Sequence, residues 1–202
     1  KKIPDILVGI DASGDEDHFK NFHDYSEIML KAEEYEKEYN TQVPYVLHCG
    51  ESIRYKNLNI LDGYLLKAKR LGNAINLIKH PGLMELIKKN NVCLEMNLIS
   101  NQTLRNVRDL RLHPIINYYN YGIKVTLNND DPTLYNVTGV NYDFFVAIVC
   151  CEFDLLDLNV MIRNSIECSL MTDEEKKVHM NLFETKWRDF IQYFIEKYNK
   201  NV

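Results

Sequence analysis

The sequence predicts an α/β protein built as part of a (β/α)8 barrel, with these 202 residues supplying about the last five strands and the C-terminal helices. Three observations carry that prediction. Short apolar runs alternate with longer amphipathic stretches, the pattern of parallel strands joined by helical crossovers. Two of the runs end in side chains able to bind a metal or move a proton: Tyr45-Val46-Leu47 runs into His48-Cys49-Gly50-Glu51, and Val125-Thr126-Leu127 leads to Asn129-Asp130-Asp131-Pro132. A (β/α) barrel keeps its chemistry at such C-terminal strand ends. No linker divides the chain, and a hydrophobic content of 46% is enough for the core of a single domain over residues 1–202.

Each element follows from local pattern. Ile6-Leu7-Val8-Gly9-Ile10 is apolar throughout and reads as a strand buried on both faces, ending at Asp11. Tyr25, Ile28, Met29, Ala32 and Tyr35 recur at three-to-four spacing, which predicts a helix from about 24 to 39. Pro44 opens a second strand to His48; a helix over 58–68 and a third strand over 69–75 follow. Pro81 suits the first turn of a helix carrying Leu83, Met84, Leu86 and Ile87. Val92 to Met96 is the fourth strand, 113–121 a helix stopped by Gly122, and Lys124 to Asn128 the fifth strand. Beyond it the chain turns helical. The last helix opens on Thr172 and Glu175 in capping-box spacing, and its stripe of Val178, Leu182, Phe183, Trp187, Phe190, Ile191, Phe194 and Ile195 reads as core packing.

Composition narrows the function. A net charge of −5 with no basic run argues against a general nucleic-acid or anionic-membrane binder. No apolar run approaches the roughly 20 residues a bilayer span needs, and Lys1 to Asp5 lack the apolar core of a signal peptide. The five cysteines read as buried free thiols, with Cys49 packing behind the site. The sequons at Asn101 and Asn136 permit a secreted protein. His18, His23, His113 and His179 stand alone and read as ordinary surface or core residues; the run Asp15-Glu16-Asp17 reads as a solvated loop. Asp130-Asp131 before Pro132 also has a plain reading as a turn cap.

The ordered motifs resemble one family. His48-Cys49-Gly50-Glu51 resembles the His-Ala-Gly-Glu signature of adenosine deaminases, Asn129-Asp130-Asp131-Pro132 their Ser-Asp-Asp-Pro, and Arg70-Leu71-Gly72-Asn73-Ala74 their Arg-Ile-Gly-His-Gly. Lys79-His80-Pro81, Glu95 to Gln102, Asp109 to Pro114, Tyr142-Asp143-Phe144 and Lys186 to Phe190 are similar to the secreted branch, the adenosine deaminase-related growth factors. The resemblance implies a zinc-dependent barrel that converts adenosine to inosine. It implies His48 and Asp130 as zinc ligands, Glu51 as proton donor to the purine ring nitrogen, Asp131 as hydrogen-bond partner of the purine and positioner of the water, and Gly14 as a backbone contact to the base.

Two departures follow. Asn73 stands where the family has a histidine beside the attacking water, and an amide cannot exchange a proton. The family's His-X-His ligand pair is absent, whereas a catalytic zinc normally has three protein ligands. Five strands also leave a barrel open at two edges, an association liability. A companion chain supplying the N-terminal strands is therefore expected. Two functions remain: a zinc-dependent adenosine deaminase with impaired activity, or a secreted, catalytically inactive relative with a binding, structural or storage role.

Overall fold

The structure is a computed structural model that describes residues 7–54 and 56–198. Four strands, β1 (Val46–Cys49), β2 (Arg70–Asn73), β3 (Cys93–Met96) and β4 (Val125–Leu127), form one sheet in chain order, every neighbour parallel. The connections carry α2 (Asn59–Leu65) between β1 and β2, α3 (Pro81–Lys89) between β2 and β3, and α4 (Leu98–Thr103) with α5 (Ile115–Tyr121) between β3 and β4. α1 (Ser26–Glu38) precedes the sheet; α6 (Asn141–Cys151), α7 (Leu155–Glu167) and α8 (Asp173–Tyr198) follow it. This is the strand–helix repeat of a partial barrel.

The core lies between sheet and helices. Leu47, Leu71, Leu94 and Val125 come from the four strands in turn and are each 0% exposed. Ile60, Ile87, Ile115, Tyr118 and Met161 close over them from the helices. Full burial of each aliphatic side chain contributes about 1.5–3 kcal/mol. Tyr118 adds a polar anchor, its hydroxyl donating to Ala74 O at 2.8 Å and accepting from Ile78 N at 2.8 Å. The helix ends obey the sequence signals: Gly122 takes φ +86° after α5, and Thr172 and Glu175 exchange bonds at the start of α8 (Thr172 N to Glu175 Oε2 2.8 Å).

Three expectations change. The first predicted strand reaches into residues outside the described ones. Its described part makes a single bridge, Ile10 to Tyr45, supported by Ile10 N to Pro44 O and Val46 N to Ile10 O. Leu7 and Val8 are exposed rather than buried on both faces, because no further strand lies beyond them among the described residues. The third strand stops at Asn73, where Asn73 and Ala74 both turn left-handed (φ +67° and +49°) and a 3-10 turn follows. The apolar stripe of α8 is not core: no residue of that helix is buried, and Val178, Leu182, Phe190, Phe194 and Ile195 are exposed. α8 leans mainly on α7, through Arg163 Nη1 to Glu184 Oε1 at 3.0 Å and the Arg163 guanidinium over the Phe183 ring, and an aromatic ladder runs along it from Phe183 through Trp187, Phe190 and Phe194 to Tyr198.

All five cysteines are free thiols; Cys49, Cys93 and Cys151 are buried, Cys150 and Cys168 half-buried. No described helix is long and apolar enough to cross a membrane. The two sequons separate cleanly: Asn101 is wholly buried and bonded on both sides of its amide, whereas Asn136 is exposed.

Candidate active site

Four strand ends converge on one polar cluster. His48 is the third residue of β1. Its Nδ1 hydrogen-bonds the Asp11 carboxylate, at 3.0 Å to Oδ1 and 2.9 Å to Oδ2. That bond leads the causes that push the imidazole up to about 9, with Glu95 and Asp130 adding to it through their charge. Three carboxylates therefore favour positive charge on this ring, whether a proton or a cation supplies it. With Nδ1–H committed to Asp11, Nε2 is the free ligand atom, and a histidine that binds metal commonly has its other nitrogen fixed in this way. Gly72, directly across from His48 in the β1–β2 register, makes room for the ring.

That packing yields a prediction. A Cβ at Gly72 would lie 3.1 Å from His48 Cδ2 and Cγ and 3.3 Å from its Cα. Gly72→Ala is expected to displace the ring from Asp11 and cost about 1–3 kcal/mol, the usual penalty of overpacking. NMR titration should then find the His48 pKa falling from about 9 toward the ordinary 6.5. An unmoved pKa would mean that Gly72 does not set the ring's position.

Glu51 follows β1 and Gly50, which takes φ +75° against the Ile60 side chain. Burial, chiefly, and the nearby Asp130 and Glu16 charges raise its carboxyl to about 7. Asn106 Nδ2 donates to it at 3.4 Å. A carboxyl with that value holds its proton about half the time at neutral pH, which suits a proton donor. The loop carrying Glu51 is clamped by a residue the sequence pattern assigned to solvent. Glu16 Oε1 accepts from Gly50 N and Oε2 from Ser52 N, both at 2.8 Å, one on each side of Glu51. Asp17 accepts from Ser52 Oγ and pairs with Arg54 at 3.2 Å. The acidic run is thus a brace, and its only signal in the sequence was three acids in a row.

Asn73 ends β2, 1% exposed, with its amide oxygen accepting from Asn97 Nδ2 and Asn101 Nδ2, both at 2.8 Å. Asp130 follows β4 in a left-handed conformation (φ +53°), its Oδ2 accepting from Ser100 Oγ at 2.7 Å; Ser100 also bonds the Tyr135 hydroxyl at 3.0 Å. Left-handed non-glycine residues such as Asn73 and Asp130 are held by their surroundings and cluster at functional sites. Asp131 turns the chain, its carbonyl accepting from Leu134 N and Tyr135 N. Gly14 packs against the Phe19 ring, and none of the observed contacts ties it to the cluster. Asp11, Glu16, Ser100 and Asn101 are the site-region residues to which the sequence reading gave no role at the site.

The residues present meet a metal's chemistry in part. His48 offers one imidazole nitrogen and Asp130 one carboxylate, but among the described residues no three His, Cys, Asp or Glu side chains come together to hold an ion.

The features define a class: an incomplete parallel (β/α) barrel whose polar residues gather where the strands end. Solved structures agree on the fold. An adenine deaminase from Arthrobacter aurescens superposes with a TM-score of 0.78 over 90% of this chain and 53% of that one, at 22% identity. An amidohydrolase from Burkhoderia ambifaria, solved with bound Zn, gives 0.66 over 75% of this chain and 42% of its own, at 18% identity. The adenosine deaminase family model matches residues 1–186, and the chain belongs to the adenosine deaminase family. Within it, adenosine deaminase 2 of Dictyostelium discoideum is 37% identical over 98% of this chain. The chain spans 37% of the length of that relative.

Proposed function

We propose that the chain is the C-terminal part of a zinc-dependent deaminase converting adenosine to inosine, slowed by Asn73 in the place of the family's histidine, formed as one domain over residues 1–202 and completed by N-terminal strands on a companion chain. The observation that carries this reading is that His48 and Glu51 at the end of β1 and Asp130 after β4 share the C-terminal rim of one sheet, near enough for the Asp130 charge to act on both, with carboxylates biasing His48 toward a cation and burial biasing Glu51 toward its protonated form. His48 Nε2 and Asp130 would hold the zinc together with ligands from the completing strands. Bound zinc would make hydroxide available from water near neutral pH.

The residues of this chain then have distinct tasks. Attack on the purine carbon bearing the amino group is favourable only if the neighbouring ring nitrogen gains a proton, and Glu51 supplies it. Asp131 accepts a hydrogen bond from the purine and steadies the attacking water, and the backbone of Gly14 contacts the base. Asp11 keeps the His48 ring oriented. Secretion fits the exposed Asn136 sequon.

Two observations favour a second reading, an inactive relative with a binding, structural or storage role. The described residues contain no three-ligand cluster, and Asn73 offers no proton where the family offers a histidine. Native mass spectrometry of the protein from its source, followed by an inosine assay with zinc, separates the readings. A second polypeptide, one zinc per assembly and inosine production are expected. A zinc-free assembly without turnover would replace the deaminase by the inactive relative. A metal-free monomer would remove the companion chain as well.

A further inference from the structure

His113, an isolated histidine in the sequence, is 0% exposed and lies at one end of a directed chain of hydrogen bonds. Its Nδ1 accepts from Ile115 N at 3.1 Å. A backbone N–H can only donate, so the proton of the neutral ring is on Nε2. Nε2–H therefore donates to Asn101 Oδ1, 3.0 Å away. With its oxygen spoken for, Asn101 turns its Nδ2 to Asn73 Oδ1 at 2.8 Å, and Asn97 Nδ2 meets the same oxygen at 2.8 Å. The assignment of oxygen and nitrogen along all of these amides is fixed by one backbone N–H. Asn73 Oδ1 is occupied by two donors; its Nδ2 has no partner among the described residues. The residue sits at the end of β2 beside Gly72, against which the His48 ring packs.

We propose that His113, Asn101 and Asn97 are positioning residues that hold Asn73 as a fixed, uncharged hydrogen-bond donor to the oxygen on the reacting purine carbon. The proposal rests on the deaminase reading and deepens it. A locked Nδ2–H can stabilise charge gathering on that oxygen at no reorganisation cost, which is how preorganised donors accelerate a reaction. It cannot take up a proton, so this position contributes electrostatics alone. It also sets specificity: an NH2 group opposes the amino group of a 6-aminopurine and complements the carbonyl of a 6-oxopurine. The site therefore favours an oxygen at that carbon, as in inosine and in the tetrahedral species that leads to it.

The test uses the full-length protein with its companion strands, labelled with 15N, and inosine and adenosine as probes. The Asn73 side-chain amide, identified by its loss in Asn73→Asp, is expected to shift when inosine is added. Asn97→Leu and Asn101→Leu each remove one donor to Asn73 Oδ1. Each is expected to weaken inosine binding and lower kcat about ten-fold, the scale of one lost hydrogen bond, with the KM for adenosine within about two-fold. A wild-type protein that binds inosine without moving the Asn73 signal would overturn the positioning proposal and leave the deaminase reading intact. Folded Leu variants with wild-type inosine affinity and kcat would do the same. A wild-type protein that binds neither nucleoside would overturn both. If Asn101→Leu does not fold, the Asn97→Leu variant and the wild-type titration still decide.

Discussion

Glu51→Gln is expected to reduce inosine production by about 10²- to 10⁴-fold, the usual range for removing a positioned acid. Gln preserves the shape and the hydrogen-bonding capacity toward Asn106, but it has no proton to deliver. The stability consequence separates a lost acid from a lost fold. Burial raises the Glu51 carboxyl from 4.5 to about 7, so in the folded protein the ionised form is the disfavoured one. A raised carboxyl costs stability as pH climbs from 4.5 through 7, and the neutral amide removes that cost. The variant should therefore be at least as stable as the wild type above pH 7 while its activity collapses. Activity within a few-fold of wild type would exclude Glu51 as the proton donor. The measurement is a continuous inosine assay on the zinc-loaded assembly beside urea denaturation of the same samples.

The elements that were legible in the sequence are those set by local chemistry. Alternating apolar runs and helical periods located β1 to β4 and α2, α3 and α5 between them, because parallel strands buried on both faces need continuous apolar stretches; the short α4, which carries Ser100 and Asn101, has no such signal. The cap signals at Gly122 and at Thr172 with Glu175 were equally local and equally reliable. The motifs put His48 and Glu51 at the end of β1, Asn73 at the end of β2 and Asp130 after β4, because a (β/α) barrel keeps its polar residues at the C-terminal strand ends. What local pattern could not reveal depends on distant partners. Glu16 looks like a solvated acid until Gly50 and Ser52, more than thirty residues away, turn their amides to it. His113 looks like any lone histidine until α4 brings Asn101 against it. The stripe on α8 has the period of a buried face, but period reports an apolar face and not whether a surface covers it. The end of β2 was missed for a related reason. Asn73 and Ala74 are held left-handed by tertiary contacts, including Ala74 N to Cys49 O at 3.1 Å, and propensity alone does not foresee that.

His113 is also expected to make the fold acid-sensitive, and the sign can be worked out. Burial lowers its pKa from 6.5 to about 3, so the ring is neutral in the native protein and charges only after unfolding. A depressed histidine contributes stability that is present above 6.5 and lost as pH falls through the window from 6.5 to 3, because the unfolded state binds the extra proton. At pH 5 the unfolded chain has gained about 1.5 pKa units of protonation free energy, or about 2 kcal/mol. Asp143, raised by burial to about 6, and Glu51 act in the opposite sense, since both prefer the protonated form. Total stability therefore does not isolate His113, and a comparison with His113→Gln does. Gln removes the titration while keeping a donor and an acceptor in the cavity. Urea unfolding at pH 7 and pH 5 should show the wild type losing about 2 kcal/mol more than the variant over that interval. Equal losses would mean that the ring is reached by solvent or protonated in the native state. In that case Nδ1 would no longer be bound to accept from Ile115, and the amide chain leading to Asn73 would lose the anchor that sets its direction.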